Sequence, residues 1–531
     1  MTIDNPRNVE ELAKALQEPL LPQEPVHEDE DCANRDNTVI DNDINFIIDG
    51  SEGHENGQAT GILYDGLNLK DSLLIKSLYF LDALGSSAWG RFSAIYYNNH
   101  SLNTQQIGLI EGLRTFTPTI SMVFWGFVTD HFRCRKQVWI LTKSGSTAIL
   151  LLLALPYVTK SFFRILWVSV GAQLFASNGA ILDSYTLELL GTENKLFYGR
   201  YRLYASLSWG LGSIVMGWIT DHYGFDWNFI MFGALSILMI VLVAYFLPDN
   251  INKSAQQEPT TADYRTNEET NVEDEAATND TAEDYELGDI SELLSLVIKP
   301  RVLFFFVEVI VMGAAMATVE RLLFLYMVND LHASTLLCGL SVGVNVLFEL
   351  PIFWYASSIL NYLGADGMFL LSMTCFIVRV YGYTLLTPST KCWILALESM
   401  HGVTFATFWI VTTDVSKRLI DKSKGGFWST TIPSVVQMLY NAVGATIGSV
   451  LGGFAMHQFG SREMYLFTAE LVLCMLVVHL IGSILVRTCY LGLRSVLPEC
   501  HHQIANEINE EEDNEQDHEQ GNDEVANSRR S

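Results

Sequence analysis

The sequence predicts an all-α membrane protein with twelve transmembrane helices in two pseudo-symmetric six-helix bundles. Three observations lead to this prediction: twelve apolar segments, the concentration of acidic residues in three polar segments, and an internal repeat that relates the two halves of the chain. A spanning helix needs about 20 mostly apolar residues, because lipid offers no hydrogen-bond partners to the backbone.

The apolar segments form two groups of six, separated by a polar stretch. The predicted spans are 72–97, 107–129, 137–158, 162–184, 203–221, 228–247, 302–327, 335–358, 367–387, 392–414, 431–455 and 464–486. They define an N-terminal six-helix bundle at 70–248 and a C-terminal six-helix bundle at 301–490.

The charged residues are concentrated outside the spans. Of the 531 residues 17% are charged, against about 25% in soluble proteins, yet the net charge is −28. Segments 1–69, 249–300 and 499–531 hold 16, 14 and 11 acidic residues, so the remaining chain has 19 acidic and 24 basic residues. This leaves no basic face for nucleic acid.

The polar composition of these segments predicts disorder. We expect 1–69 to be a disordered acidic N-terminal tail and 491–531 a disordered acidic C-terminal tail. The segment 249–300 is predicted to be an acidic linker that ends in an amphipathic helix, because apolar residues recur there at helical spacing.

Basic residues in the short loops predict the orientation in the membrane. With the N-terminus in the cytosol, cytosolic loops carry ten Lys and Arg residues and the opposite loops carry four. The positive-inside rule therefore places both termini and the linker in the cytosol. Plasma membrane and endomembrane or vacuole are not distinguished.

The internal repeat predicts how the two halves are related. Residues 104–112 align with 335–343, with four identities in nine at an offset of 231, and 212–224 align with 448–460 at an offset of 236. Two matches at nearly one offset indicate duplicated halves in the same orientation. Halves of this kind place a substrate site near the midplane and rock around it.

Motifs after the second and fourth spans resemble those of the major facilitator superfamily. Gly126, Asp130 and the basic pair Arg135 and Lys136 are similar to the superfamily's inner-loop signature. The stretch 183–210, together with 349–351 and 401–405, resembles the lactose-permease-like branch, which includes nucleoside and phenylpropionate permeases and sugar–proton symporters. The resemblance covers about 72–490 and implies this fold and a transport function.

The inner-loop signature predicts a gate at the cytosolic side. Asp130 ends a helix, and Arg135 and Lys136 can pair with it or with carbonyl groups at helix C-termini. Simple anchoring of the loop by its positive charge is the alternative. Inner-gate ion pairs are also expected from three residues where the fourth span ends and the fifth begins: Asp183, Arg200 and Arg202.

Charged residues inside the spans predict a second gate. Each costs about 2.5–3.5 kcal/mol or more at the bilayer centre, so such residues are usually functional. Seven share one depth in the outer third and are expected to close the outer gate: Arg91, Glu111, Arg114, Glu320, Arg321, Glu398 and His401. For a single Arg, snorkelling to the outer surface is the alternative.

Glu349 is the main candidate for proton coupling. It lies near the middle of the eighth span, beside Pro351 and one turn after Asn345. A carboxyl at that depth stays protonated unless it is paired. This suits a proton carrier or a hydrogen-bond partner of the substrate, and equally a structural hydrogen bond between helices.

Glu398 and His401 form a second titratable pair, three residues apart on the tenth span. In lactose-permease-like symporters a His/Glu pair on the tenth helix and an Arg on the ninth serve proton coupling. The resemblance implies this role for Glu398, His401 and Arg379, although the order of Glu and His is reversed here.

Polar and aromatic residues near the middle of the spans are predicted to line a substrate cavity: Asp82, Trp89, Gln173, Asn178, Trp209, Asn345, Thr404 and Trp409. Aromatic faces beside polar groups suit a sugar, a nucleoside or an aromatic acid, and they equally suit helix packing.

The sequence therefore predicts a secondary active transporter, with proton-coupled symport of a small polar organic solute by alternating access. It contains no nucleotide-binding glycine loop, no metal-ligand spacing and no nucleophile–base motif, so no cofactor, metal or enzymatic activity is expected. The expected partners are the solute, protons and lipid, with cytosolic partners for the acidic tails. The alternatives are an uncoupled facilitator, or a nutrient sensor or scaffold that signals through those tails.

Overall fold

The computed structural model describes residues 63–132, 134–191, 194–247, 297–421, 428 and 431–496. The N-terminal tail before residue 63, most of the linker with its predicted amphipathic helix, and the C-terminal tail after residue 496 lie outside this set.

A short β-hairpin precedes the first helix. Strands β1 (Leu63–Tyr64) and β2 (Leu67–Asn68) pair antiparallel. The residues between them, Asp65 and Gly66, have φ angles of 51° and 81°. This is the left-handed pair of a type I′ turn, for which Asp-Gly is well suited. The hairpin lies within the segment 1–69 that was predicted as the N-terminal tail, and its Asp65 contacts the first bundle.

The N-terminal bundle follows as a series of nine α-helices among the described residues. They are α1 (Leu69–Ser87), α2 (Ser93–Asn99), α3 (Thr104–Phe132), α4 (Arg135–Leu151), α5 (Pro156–Thr159), α6 (Phe162–Gln173), α7 (Asn178–Leu190), α8 (Tyr198–Tyr223) and α9 (Asp226–Phe246). The first span is interrupted between α1 and α2, and the fourth between α6 and α7.

The C-terminal bundle repeats the same order. Its helices are α10 (Pro300–Asn329), α11 (Thr335–Trp354), α12 (Ala356–Thr384), α13 (Ile394–Asp421), α14 (Thr431–Met438), α15 (Ala445–Phe459) and α16 (Ser461–Val496). A π-helical turn, Leu439–Gly444, joins α14 to α15. Gly364, with φ 67°, bends α12 near its start.

Most predicted spans coincide with helices that are apolar enough to cross a bilayer. Among the described residues, nine helices meet this requirement by length and composition. The other three predicted spans coincide with α1–α2, α3 and α8, which carry more polar residues.

The two bundles pack together where the repeated motifs lie. Gly339 of α11 approaches α8 so closely that a Cβ there would lie 2.2 Å from the carbonyl oxygen of Ser213. Gly108 of α3 approaches α15 in the same way, at 2.4 Å from the carbonyl oxygen of Ser449. The repeated motif 335–343 therefore contacts 212–224, and its copy 104–112 contacts 448–460, as expected for duplicated halves.

The end of the two bundles that carries α2 and the first turns of α3 and α11 is here called the closed end. Asn98 and Asn329 join the bundles there through two reciprocal amide hydrogen bonds of 3.1 and 3.3 Å, and they are 231 residues apart. Towards the other end, α3 and α11 expose large apolar side chains, such as Phe127 and Trp354.

Candidate functional site

A charged network joins the two bundles near the closed end. Glu320 of α10 lies 3.9 Å from the Arg91 guanidinium of the N-terminal bundle and 3.5 Å from Nε2 of His401 on α13. One carboxylate thus connects a cation of one bundle with an imidazole of the other. The prediction placed these residues at a common depth, and the structure brings them into contact.

Arg379 of α12 continues this network into the C-terminal bundle. Its side chain is fully buried, and its guanidinium donates a hydrogen bond to Nδ1 of His401. Because Arg can only donate, Nδ1 must accept, which leaves the imidazole proton on Nε2, the atom that faces Glu320. His401 therefore links Arg379 to Glu320 as a neutral imidazole.

Glu398 has a different partner from the one expected. It was predicted to form a titratable pair with His401, but the Glu398 carboxylate accepts a hydrogen bond from Tyr383 of α12. The second carboxylate oxygen of Glu398 and the hydroxyl of Tyr465 are both buried and have no hydrogen-bond partner among the described residues. Glu398 and His401 face different neighbours, although both lie within the same bundle.

Glu349 of α11 lies beside this network without a partner of its own. No hydrogen bond or ion pair joins its carboxylate to another described residue, while the charges of Glu320 and Arg91 act on it. One turn earlier, Asn345 is 3% exposed, and neither its oxygen nor its nitrogen has a described partner. A carboxyl and an amide are thus left unsatisfied on one face of α11.

A second cluster surrounds Glu111 of α3. Arg114 approaches its carboxylate to 2.5 Å, and the Ser93 hydroxyl donates to it at 2.7 Å. Arg321 of the C-terminal bundle lies 3.7 Å from the other carboxylate oxygen. Six of the seven predicted outer-gate residues therefore form two cross-bundle clusters, one centred on Glu111 and one on Glu320, and Glu398 belongs to neither.

An ion pair inside the N-terminal bundle was not predicted. The ammonium group of Lys143, on α4 and 5% exposed, lies 2.7 Å from the Asp82 carboxylate of α1. The Asn178 amide donates to the same oxygen at 3.2 Å. Asn178 is the first residue of α7, so the pair lies at the point where the fourth span is interrupted.

Side chains from α3 stabilise this interruption. The carbonyl oxygen of Leu174, left without an intrahelical partner, accepts hydrogen bonds from Ser121 and from the indole of Trp125, each at 2.8 Å. Ser177, immediately before α7, is buried and its hydroxyl has no described partner. The break therefore exposes helix-end polar groups in the middle of the bundle.

The other predicted cavity residues are spread over both bundles. Trp89 is buried in an aromatic cluster with Tyr96 and Phe229, at ring distances of 5.4 Å to each. Thr404 is fully buried and its hydroxyl donates to the backbone of its own helix. Half-buried positions are occupied by Gln173, Trp209 and Trp409. Of the predicted set, Asp82 and Asn178 are in contact with each other.

The predicted inner-gate residues pair within the N-terminal bundle. Arg135 contacts the Glu188 carboxylate, and Arg202 lies 3.8 Å from Asp183, which also accepts a 2.6 Å hydrogen bond from Tyr79. The side chain of Asp130 lies outside the described residues, so its predicted pairing with Arg135 and Lys136 remains a prediction.

Arg200 holds the hairpin against the first bundle. It lies 2.9 Å from the Asp65 carboxylate, which is 2.5 Å from the Lys76 ammonium. Burial raises the pKa of Asp65, but hydrogen bonds and the charges of Lys76 and Arg200 lower it more, so the net pKa is below its ordinary value. The Tyr201 hydroxyl also donates to the Asp65 carbonyl oxygen at 3.1 Å.

Sequence reasoning missed Lys143, Asp65 and Asp221. Lys143 stands within a predicted span, where an ammonium needs a counter-charge, and that signal was available. Asp65 stands in an Asp-Gly dipeptide between short apolar pairs, a hairpin signal. Asp221 accepts hydrogen bonds from the first residues of α11. Its sequence signal is the Gly-x-x-Thr-Asp-His motif, which also contains Asp130.

The described part of the chain contains no group of three or more His, Cys, Asp or Glu side chains that could hold a metal ion.

Two helical bundles that pack through repeated glycine motifs and share charged residues at their interface are typical of the major facilitator fold. The family model described as "MFS_1 like family" matches residues 73–467, which is most of the chain. The protein belongs to this family, and it is a multi-pass integral membrane protein.

Curated relatives match over shorter stretches. The chain is 22% identical over 174 residues to the major facilitator superfamily domain-containing protein 6-like protein B of Xenopus laevis, covering 33% of this chain and 27% of that protein. It is 25% identical over 178 residues to the sucrose permease of Escherichia coli, covering 31% and 41%. The chain thus matches less than half of the length of each relative.

Solved structures match over nearly their whole length. The crystal structure of the nucleoside transporter NupG has a TM-score of 0.62 at 14% identity, covering 77% of this chain and 98% of that one. A POT family transporter in complex with 5-aminolevulinic acid has a TM-score of 0.56 at 14% identity, covering 78% and 96%. At these identities the likeness supports the fold.

Proposed function

We propose that the protein carries out proton-coupled symport of a small polar organic solute by alternating access. In this proposal both termini face the cytosol, and the closed end faces the opposite side of the membrane. The distribution of Lys and Arg in the short loops supports this orientation. The conformation described here is then the inward-facing one, with the outer gate shut by the clusters around Glu111 and Glu320.

The proposal of proton coupling rests on the position of Glu349. Its carboxyl has no described partner, lies at the interface between bundles, and is under the influence of the Arg91–Glu320 pair. Two carboxyl groups beside one guanidinium favour a proton on one of them, because the like charges repel each other. Protonation of Glu349 leaves Arg91 to Glu320 alone and keeps the cross-bundle pair intact.

Loss of that proton changes this balance. An ionised Glu349 competes with Glu320 for Arg91, so the pair that helps to close the outer gate is weakened or redirected. The proton on Glu349 is in this way tied to the conformation of the gate, which is what symport requires. Through His401 and Arg379 the same change reaches the interior of the C-terminal bundle.

The solute class is proposed from the residues on the N-terminal side. Asp82, Lys143 and Asn178 offer an acceptor, a cation and an amide at the interrupted fourth span, where helix-end groups also face inward. Such a set suits the hydroxyl or carboxylate groups of a sugar, nucleoside or aromatic acid. The names of the similar proteins, a sucrose permease and a nucleoside transporter, support the same range.

The test begins with a thermal-shift screen of the purified protein against sugars, nucleosides and aromatic acids, since a bound ligand stabilises the folded state. The solute found is then followed into proteoliposomes with and without an imposed pH gradient. We expect accumulation only with the gradient. Equal uptake in both conditions would leave an uncoupled facilitator.

Glu349→Gln tests the proposed carrier directly. Gln keeps the size and hydrogen bonding of the neutral carboxyl but cannot release a proton, so we expect solute exchange to persist while accumulation is lost. Glu470→Gln, an exposed position on α16 outside the network, is the matched control and should behave like the wild type. Proton-driven accumulation in Glu349→Gln would rule out Glu349 as the carrier.

A further inference from the structure

We infer that Asp221 is a gating residue, which keeps the closed end shut by capping a helix of the opposite bundle. The inference rests on the alternating-access part of the proposed function and is independent of the solute and of proton coupling. Asp221 lies in the last turn of α8, whereas the helix that it caps is α11 of the C-terminal bundle.

The geometry is that of a helix N-cap provided from outside the helix. The backbone N–H groups of Thr335 and Leu336 each donate to the Asp221 carboxylate at 2.8 Å, one to each oxygen. The Thr335 hydroxyl lies 2.5 Å from the same carboxylate. These are N–H groups that a helix leaves unpaired in its first turn, where a negative charge is favoured.

These contacts are shorter than the ion pairs that join the bundles. Arg91–Glu320 and Arg321–Glu111 have separations of 3.9 and 3.7 Å, whereas the Asp221 contacts measure 2.5 to 2.8 Å. A carboxylate with two directed backbone hydrogen bonds fixes the position of α11 along α8. It also lies at the very end of the closed side, where separation of the bundles would begin.

The corresponding position in the second half of the chain has no such cap. The residue matching Asp221 at the repeat offset of 236 is His457, and the residue matching Thr335 at the offset of 231 is Thr104. The Thr104 hydroxyl is buried and has no described partner. Helix α3 is capped locally, because Asn103 and Gln106 exchange hydrogen bonds of 2.8 and 3.1 Å. Helix α11 has a local cap too, since the Ser334 hydroxyl accepts a hydrogen bond from the Leu337 N–H at 3.2 Å, and Asp221 binds the two preceding N–H groups in addition. The cap across bundles thus belongs to the α8–α11 side.

A motif in the sequence supports a gating role for Asp221. The stretch 217–223, at the end of α8, reads Gly-Trp-Ile-Thr-Asp-His-Tyr, and 126–132, at the end of α3, reads Gly-Phe-Val-Thr-Asp-His-Phe. Helices α3 and α8 run in opposite directions and are equivalent in the inverted three-helix repeats within a six-helix half. The motif therefore occurs once at each end of the same bundle.

The two aspartates occupy equivalent positions at opposite sides of the membrane. Asp130 stands at the side where the inner gate is predicted, and Asp221 stands at the closed end. When the closed end opens, the N–H groups of Thr335 and Leu336 no longer donate to the Asp221 carboxylate, and water replaces it as their acceptor. Asp221 thus stabilises the state described here relative to the state that is open at this end.

The inference is tested by distances between the bundles in the purified full-length protein. Spin labels at positions 160 and 389, both exposed in loops of the closed end, report its opening through Lys160→Cys and Ser389→Cys in a background without the native cysteines. Loss of an N-cap shifts an equilibrium roughly 5- to 30-fold. We expect Asp221→Ala to raise the population with long distances by such a factor.

Asp330→Ala is the matched control. Asp330 is an exposed carboxylate at the same end, but it bonds with Ser461 of its own bundle at 2.7 Å. We expect its distance distribution to equal that of the wild type, and Asp221→Asn, which keeps one acceptor oxygen, to be intermediate. If Asp221→Ala does not fold, Asp221→Asn decides the matter, and a wild-type distribution in the folded variant would overturn the inference. The assay contains no solute or pH gradient, so its failure is separate from a failure of symport.

Discussion

The Asp82–Lys143 pair illustrates the cost of charge inside the bundle at the scale of single residues. Lys143 is almost fully buried, whereas about a quarter of the Asp82 side chain is exposed. Removing one partner of a buried ion pair costs about 3–5 kcal/mol, because the other charge is left uncompensated. The two partners should therefore respond differently to mutation.

We expect Asp82→Asn to destabilise the protein by about 3 kcal/mol, since it leaves the buried ammonium without a counter-charge. Lys143→Gln should cost less, because the Asp82 carboxylate that remains is partly hydrated. The double variant should recover most of the loss, since it removes both charges. Chemical denaturation of the four proteins in detergent measures the cycle, and additive losses would show that the two residues do not act as a pair.

The lowered pKa of Asp65 predicts how the stability of the protein depends on pH. Its pKa in the folded protein is below the ordinary value of 3.8. The stabilisation that it contributes is therefore fully present above about pH 4 and is lost as the pH falls through the lowered pKa. We expect the difference in melting temperature between the wild type and Asp65→Asn to be constant from pH 8 to pH 5 and to shrink only below pH 4. A difference that changes around neutral pH would contradict this assignment.

At the scale of helices, the contact between α8 and α11 depends on the absence of side chains. A Cβ on Gly339 would meet the carbonyl oxygen of Ser213, a backbone atom that cannot move without shifting α8. Overpacking of this kind costs about 1–3 kcal/mol. The cost falls on the closed end, since the contact exists only while the bundles touch there.

We accordingly expect Gly339→Ala to open the closed end and to slow transport, with little effect on the fold of either bundle. Gly171→Ala on α6, where the nearest atom to a new Cβ is 3.8 Å away, is the control. The spin-label distances at positions 160 and 389 provide the measurement. A closed end that stays shut in Gly339→Ala would mean that α8 and α11 can separate slightly without loss of the other contacts.

Helix positions were largely predictable from the sequence, whereas their interruptions were not. A window of apolar residues places a span, but α1–α2 and α6–α7 were each predicted as one helix. The break before α7 depends on Ser121 and Trp125, which satisfy the Leu174 carbonyl oxygen from a helix about 50 residues away. Such partners are invisible to a local pattern.

The same limit applies to the charged residues. Hydropathy and topology placed Arg91, Glu320 and His401 at one depth, because each is a charged or polar residue in an apolar run. They did not show that Glu398 would bond with Tyr383 rather than approach His401. That choice depends on how α12 and α13 are rotated relative to each other, and a single sequence does not contain this information.

At the scale of the whole molecule, the hairpin sets the limit for removing the N-terminal tail. We expect deletion of residues 1–62 to leave solute flux and thermal stability unchanged, since the hairpin and its contacts with Arg200 remain. Deletion of 1–69 should lower the melting temperature, because Asp65 and its partners are lost. Solute flux and thermal unfolding of the two truncated proteins distinguish the contribution of the tail from that of the hairpin.

The shorter truncation also separates a transporter from a sensor. A transporter should keep its flux without the acidic residues before 63, whereas a protein that signals through this tail should lose its output. Loss of signalling output on deletion of 1–62, with an unchanged melting temperature, would favour the sensor.

Asn98 and Asn329 are residues at equivalent positions of the two halves that contact each other. They are one repeat apart, and each amide donates to the other across the pseudo-two-fold axis. A residue that meets its own copy in this way is the signature of an isologous contact, as in a symmetric homodimer. Within this one chain, the two halves therefore meet at this point as two copies of a subunit would. Each amide uses one N–H group and one oxygen lone pair in this exchange, so a change at one position leaves a donor and an acceptor of the other residue without their partners.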